Sequence, residues 1–352
     1  MRRFVAVLFA VTLVACGKDS KPGAGISGSS GSSSAPKKET ITLVAHDSFV
    51  VTDSVLKEFS DRTGITVEVV KGGDAGAVVN QAILTKDHPQ GDVLYGIDNT
   101  LLSKGLDAGL FDSYTSPELA QIDSALLDSS EHRVTPIDES DVCVNFDKRA
   151  VTLTSLDDLK KAELKDKIVV ENPATSSTGL AFLLATVAKY GEYGYLDYWR
   201  ALKANGVKVD DGWSQAYFDD FTLGGATGTK TVVVSYATSP PADVVGATPA
   251  KTSTDVGVVD DACYRQVEFA GVLHGTSHAA AAHAFIDFML SKAFQEDMPL
   301  NMFVYPVRKD AALPDVFTTF AAKPAHAVEL DQGQVRQKRE QWIKDWTSTV
   351  LG

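Results

Sequence analysis

Three aromatic residues, Trp213, Tyr217 and Tyr236, and three carboxylates, Asp47, Asp74 and Asp98, fall where the sequence pattern puts loops at the ends of strands. Ligand pockets are lined by such flat faces with a few convergent polar groups. A single aromatic at such a position is usually core. Three together, in a chain with four Trp and ten Tyr, read as the wall of a pocket. Each of the three Asp residues follows a strand and precedes a helix, the position of an N-cap, whose side-chain oxygen takes a free backbone amide. A capping carboxylate can still present its second oxygen to a ligand, so both roles stay open. The run Thr175-Ser176-Ser177-Thr178-Gly179 at another helix start is either a plain cap or an anion site, since amides, hydroxyls and the helix dipole converge there.

Other chemistries find little support. There is no Gly-x-Ser-x-Gly, no Walker loop and no Glu-paired zincin motif, and Gly212-Trp213-Ser214 lacks the closing glycine of a nucleophile elbow. His274 and His278 are spaced for a metal on a helix. Gly275, with Thr276 or Ser277 as a cap, puts His274 outside that helix. The expectation is a binding protein, not an enzyme, with no cofactor and no metal. A formal net charge of -13 argues against nucleic acid as a partner and suits a cationic ligand.

The elements that would position these groups alternate. Ile41–Ala45 reads as a buried strand, His46 to Phe49 as a loop, and Ser54 to Phe59 as a helix stopped by Gly64, with Ile65–Val70 as the next strand. Asp74 caps an apolar-periodic helix. A further strand, 92–96, ends in Ile97-Asp98-Asn99, and 167–170 leads into the Thr175–Gly179 turn and a helix from Leu180 to Lys189. Lys230–Ser235 is a strand running into Tyr236. Such alternation implies an α/β fold with mainly parallel sheets and ligands at the strand C-terminal ends. A last helix, Gln332 to Thr347, carries Trp342 and Trp346 at i and i+4, as core anchors.

Met1-Arg2-Arg3 followed by an apolar stretch from Phe4 to Ala15 has the form of a signal peptide, too short to span a membrane. Its end, Leu13-Val14-Ala15-Cys16, resembles a lipobox, with Cys16 as the lipidated residue. Residues 16–40 are rich in Gly, Ser, Lys and Pro and read as a flexible tether. The body's two cysteines, Cys143 and Cys263, sit near extended stretches at Val134–Phe146 and Tyr264–Phe269. In an exported chain they are either one disulfide across neighbouring crossings between lobes or two buried thiols.

Asp47-Ser48-Phe49, Gly96-Ile97-Asp98-Asn99, the Trp213-Ser214-Gln215-Ala216-Tyr217 cluster, Ser235-Tyr236-Ala237-Thr238-Ser239-Pro240 and Tyr305-Pro306-Val307 together resemble the thiamine-binding periplasmic protein family in order and spacing. The resemblance runs from Ile41 to the C-terminus. It implies a two-lobed type II periplasmic-binding-protein fold: lobe 1 from 41–141 plus 265–325, lobe 2 from 142–264, and a C-terminal helix in 326–352. It implies thiamine or a thiamine phosphate as ligand, captured by a monomer for an ABC permease and its ATPase at the extracytoplasmic membrane face. A polyamine or ferric-iron carrier of the same fold is the alternative, although the chain has no adjacent tyrosine pair of the kind iron carriers use. By the resemblance Trp213 and Tyr236 flank the thiazolium, Tyr217 lines the same wall, Asp74 meets the aminopyrimidine or the cation, and the Ser176–Gly179 turn meets a phosphate. Where the family commonly has Tyr before Asp-Ser-Phe this chain has His46, and Phe303 replaces a Trp before Tyr-Pro-Val.

Overall fold

Strand and helix alternate to build one mixed sheet of 11 strands flanked by helices. The computed structural model describes residues 39–127 and 131–352. The signal-like leader, Cys16 and most of the tether lie outside them. Glu39 and Thr40, assigned above to the tether, instead open the first strand, because their main chains pair with Ile65 and Thr66. Ladder pairing needs no apolar side chain, so composition alone set that boundary too late.

The strand β1 (Glu39–Ala45) connects through α1 (Asp53–Thr63) to its parallel neighbour β2 (Ile65–Lys71). Gly64 ends α1 at φ 78°, a left-handed cap that glycine adopts without a Cβ clash. The chain continues through α2 (Ala75–Leu84) and β3 (Val93–Asp98), parallel to β1, into α3 (Leu102–Asp107). Ile41, Leu43, Val93 and Tyr95 bury one face of these strands against Phe59 of α1. Next come β4 (Phe111–Asp112), β5 (Thr135–Asp147), β6 (Ile168–Glu171), α4 (Ser177–Ala204), β7 (Lys208–Asp210), β8 (Val232–Tyr236) and β9 (Val256–Leu273).

Two long antiparallel strands, β5 and β9, hold the sheet together in the order β2-β1-β3-β9-β5-β8-β6-β7. The first part of β5 pairs with the end of β9, from Thr135 opposite Ala270 to Val142 opposite Tyr264. Its second part pairs with the start of β9 and with β8. The register slips between Val142 and Val144, where β9 spends extra residues and Ala262 takes a left-handed φ of 56°. Cys143 and Cys263 are joined by a disulfide at this slip, their Cα atoms 4.5 Å apart. The expected lobe limits at 141/142 and 264/265 fall inside the continuous strands β5 and β9.

Helix α4 runs well past Lys189, where the sequence pattern suggested an end, breaking only at Gly191 with φ 73°. After β9 the chain forms α5 (Ala279–Met289), α6 (Lys292–Asn301), β10 (Tyr305–Pro306), α7 (Asp315–Phe320), β11 (Ala327–Val328) and α8 (Gln332–Val350). Trp342 and Trp346 of α8 are buried, and Trp346 meets Trp199 of α4 edge to face at 5.4 Å.

The disulfide closes a span of 120 residues, and removing a bridge of that reach costs about 2–5 kcal/mol. The double substitution Cys143→Ser, Cys263→Ser is expected to lower the calorimetric melting temperature by several degrees, and a thiol reductant to lower that of the unsubstituted protein equally. Identical melting of all three samples would show that the bridge adds nothing.

Candidate functional site

The site is built around one carboxylate. Asp74 is the N-cap of α2, in extended backbone (φ -62°, ψ 163°). Its Oδ1 accepts from the amides of Ala75 at 2.6 Å and Ser177 at 3.0 Å, and its Oδ2 accepts from the amide of Trp213 at 2.8 Å. The first turn of α2, the first turn of α4 and the approach to Trp213 therefore meet at one side chain. Burial pushes its carboxyl above the ordinary range, against the Trp213 and Ser177 amides, which favour the charge.

The surrounding contacts are equally close. The amide of Ala77 donates to the Thr175 carbonyl at 2.9 Å, and a side chain at Gly76 would come within 2.6 Å of that same oxygen. Only glycine lets α2 approach the 172–176 turn so closely. Ser214 donates through Oγ to Asp47 at 3.1 Å. Gln266 of β9 donates to Asp98 at 2.6 Å and reaches Ser177 Oγ at 3.3 Å. Asp98 also accepts from the amides of Thr100 and Leu101, each at 3.1 Å, so it holds the turn that leads into α3, whose own N-cap, Leu101, has no side-chain cap. Burial lifts its pKa to about 7, opposed by the Thr100 and Gln266 hydrogen bonds.

Trp213 opens a helical turn that continues as a π-helical segment, Gln215–Asp220. Its ring stacks on Tyr217 at 5.0 Å and 22° and meets Tyr236 at 5.9 Å and 60°, and its indole N–H donates to Ser235 Oγ at 2.9 Å. The sequence reading put all three rings in loops. Tyr217 instead lies within the helical turn, 4% exposed, in a core cluster with Ala216, Phe221, Val169 and Val233. It backs Trp213, while Trp213 and Tyr236 remain half-buried.

Ser176 caps α4, its Oγ accepting from the Gly179 amide at 3.2 Å and lying 2.8 Å from Thr178 Oγ1. The Ser177 amide is held by Asp74, so the capping role is occupied and one donor of the expected anion site already carries a protein carboxylate. Phe303 follows α6 in left-handed backbone, φ 54°, and among the described residues no ring contact joins it to the Trp213 stack. His274 and His278 bond to different acids, Asp112 and Asp92.

His46 is buried beside the acids. Its Nδ1 lies 2.8 Å from Ser48 Oγ and its Nε2 3.7 Å from Glu268 Oε1. Gly96, at φ 98°, lies against this ring and has no room for a side chain. Burial lowers the His46 pKa, but Glu268 and then Asp74 and Asp47 raise it, and the net direction is up. The Tyr95 hydroxyl lies within hydrogen-bond distance of Asp138 at 2.6 Å and of Glu268 at 3.1 Å, with one proton to share between them. Among the described residues no Lys or Arg is within ion-pair range of Asp47, Asp74, Asp98, Asp138, Glu171 or Glu268; His46 is the one base that pairs there. Sequence reasoning missed Tyr95, Asp138, Glu171, Gln266 and Glu268. The available signal was an acid inside an otherwise apolar strand, as in Ile-Val-Val-Glu171 and Val-Glu268-Phe.

Comparison with known proteins bears on this arrangement. The thiamine-binding periplasmic protein of Salmonella typhimurium is 29% identical over 320 residues, covering 89% of this chain and 94% of that one. A solved periplasmic thiamin binding protein superposes with a TM-score of 0.80 at 26% identity, over 90% of this chain and 98% of the other. The periplasmic binding protein AfuA of Actinobacillus pleuropneumoniae, with fructose-6-phosphate bound, shares the fold at a TM-score of 0.76 and 17% identity, over 90% of this chain and 99% of that one. These neighbours are periplasmic binding proteins of the two-lobed α/β class expected from the sequence. The family described as bacterial extracellular solute-binding protein matches residues 89–323, and the chain belongs to it.

Proposed function

We propose that the protein binds thiamine between the two halves of its sheet and hands it to a membrane importer without altering it. The observation that carries this reading is the Trp213 ring, set between Tyr217 and Tyr236 beside buried carboxylates with no Lys or Arg partner. Thiamine supplies what that environment lacks: a permanently charged aromatic ring. A cation over an aromatic face gains roughly 0.5–2 kcal/mol, most when desolvated. The named ligand of the similar proteins is the same molecule.

In this reading residues 41–141 with 265–325, and 142–264, act as lobes that hinge about β5 and β9, and the helix in 326–352 braces the body. Closure around a ligand is a familiar switch in such folds. Asp74 and Asp47 serve closure directly, because their partners Ser177, Trp213 and Ser214 lie on the opposite lobe. Lipidation at Cys16 and the tether that runs from it to β1 keep the monomer at the extracytoplasmic membrane face, within reach of the permease and ATPase.

Calorimetric titration with thiamine, its monophosphate and diphosphate, spermidine and ferric citrate tests the reading. Heat is expected with thiamine. Binding of spermidine or iron alone would assign the cleft to the polyamine or ferric carriers instead.

Trp213→Ala is expected to weaken thiamine binding by roughly tenfold or more, the scale of an interfacial aromatic anchor. Trp213→Phe, which keeps a π-face and loses the donor to Ser235, should fall between. Unchanged affinity in the alanine variant would remove Trp213 from the site.

A further inference from the structure

Glu171, the last residue of β6, is 1% exposed, and among the described residues neither of its carboxyl oxygens is in a well-formed hydrogen bond, the Thr178 hydroxyl being the polar side chain that comes nearest to supplying one. Buried polar groups without partners are uncommon, because desolvation is lost without return. The strand pattern shows where this one lies. Ile168 and Val170 belong to the large core cluster with α4, whereas Val169 packs with Val233, Ala216, Tyr217 and Trp213. Side chains alternate along a strand, so Glu171 shares the Trp213 face.

Glu171 pairs in register with Asp210 of β7. Extending the parallel pairing of Val169 with Val233 by two residues brings it level with Ser235, which accepts the Trp213 indole proton. Asp74, Asp210 and the Thr178 hydroxyl are close enough to act on it. The nearby base is committed elsewhere: Lys208 pairs with Asp210 and Asp220. Asp74, whose charge acts on Glu171, is bonded to the Ser177 and Trp213 amides, so the carboxyl lies beside the groups that the proposed cleft brings together.

Building on thiamine as ligand, we propose that Glu171 is a further ligand-binding residue whose carboxyl pairs with the aminopyrimidine edge while Trp213 and Tyr236 take the cationic ring. That edge carries an N–H donor beside a ring-nitrogen acceptor. A protonated carboxyl carries a carbonyl acceptor beside an O–H donor, so the two close a pair of hydrogen bonds with every partner satisfied. Burial, then the charges of Asp74 and Asp210, push the Glu171 pKa well up, the direction that favours the protonated form. No proton need change hands.

The test is thiamine calorimetry on the full chain carrying Glu171→Met or Glu171→Gln, with melting temperatures of the unliganded proteins. Methionine fills similar space without polar atoms. It is expected to raise Kd about tenfold, the scale of a lost ligand hydrogen-bond pair, while the melting temperature holds or rises because a buried orphan is gone. Glutamine offers the same donor-acceptor pair and should keep Kd within about threefold of the unsubstituted protein. A thiamine analogue with hydrogen in place of the exocyclic amine should bind the unsubstituted protein about tenfold more weakly, a readout independent of how any variant folds. Equal affinity of Glu171→Met and the unsubstituted protein would mean water satisfies the carboxyl and would overturn the proposal, as would equal affinity for the analogue, or equal weakening by both variants with lowered melting temperatures. If the unsubstituted protein binds no thiamine, the ligand reading fails and this inference falls with it; thiamine binding that Glu171→Met leaves untouched removes this inference alone.

Discussion

The Asp74 carboxylate is the constraint on which the rest of the cleft depends. Its two oxygens take three backbone amides, from Ala75, Ser177 and Trp213, and two of those amides belong to segments far along the chain. Charge-assisted bonds of this kind are about twice as strong as neutral ones. Placing the carboxylate there determines how close α2 and α4 come, and hence why Gly76 must be glycine. It also fixes the backbone that carries the Trp213 ring. An acid that is an ordinary helix cap by its local geometry is by its long-range bonds the latch of the cleft.

The latch works only if its two sides are carried on a frame that holds them in register. That frame is the β5-β9 pair, which runs through both halves of the sheet and is stitched at its slip by Cys143 and Cys263. Arg265 adds a surface clamp beside the slip, bonding Asp141 at 2.8 Å and Glu139 at 3.2 Å, though partly exposed ion pairs of this type contribute little each. In the proposed reading, movement between the halves would concentrate where the ladder is already irregular. A bulge with a left-handed Ala262 is a place where backbone angles can change at small cost to the flanking pairs.

Much of this was legible in the chain itself, for reasons that differ by residue. Strands such as Ile41–Ala45 and the stop at Gly64 follow from apolar runs and a glycine cap, both local signals. Asp74 was legible as a cap because an N-cap depends on its own turn, whereas Asp98 holds the turn before α3 and does not cap it. Their remote partners Ser177, Trp213 and Gln266 were not, since no local pattern encodes contacts across more than 100 residues. Tyr217 was misplaced in a loop because the helical turn of 213–220 is π-type and lacks the usual period. The extension of α4 past Gly191 and of β1 into Glu39 were missed because tertiary packing and ladder pairing, rather than propensity, decide those ends.

In the proposed reading the buried acids bear on the choice of ligand, Asp98 read from the sequence and Asp138 and Glu171 seen only in the structure. Asp98, Asp138 and Glu171 all have pKa values raised first of all by burial. Each is therefore harder to ionise where it lies, and among the described residues no Lys or Arg is in ion-pair range to offset that cost. A ligand carrying a fixed positive charge reverses the sign for those that are ionised, whereas Glu171, protonated as proposed above, contributes hydrogen bonds and not charge. A neutral or anionic molecule of the same shape gains no such return. The closed state is favoured in proportion to the ligand's differential affinity for it, so in the proposed reading the unpaired acids set both the choice of ligand and the drive to close.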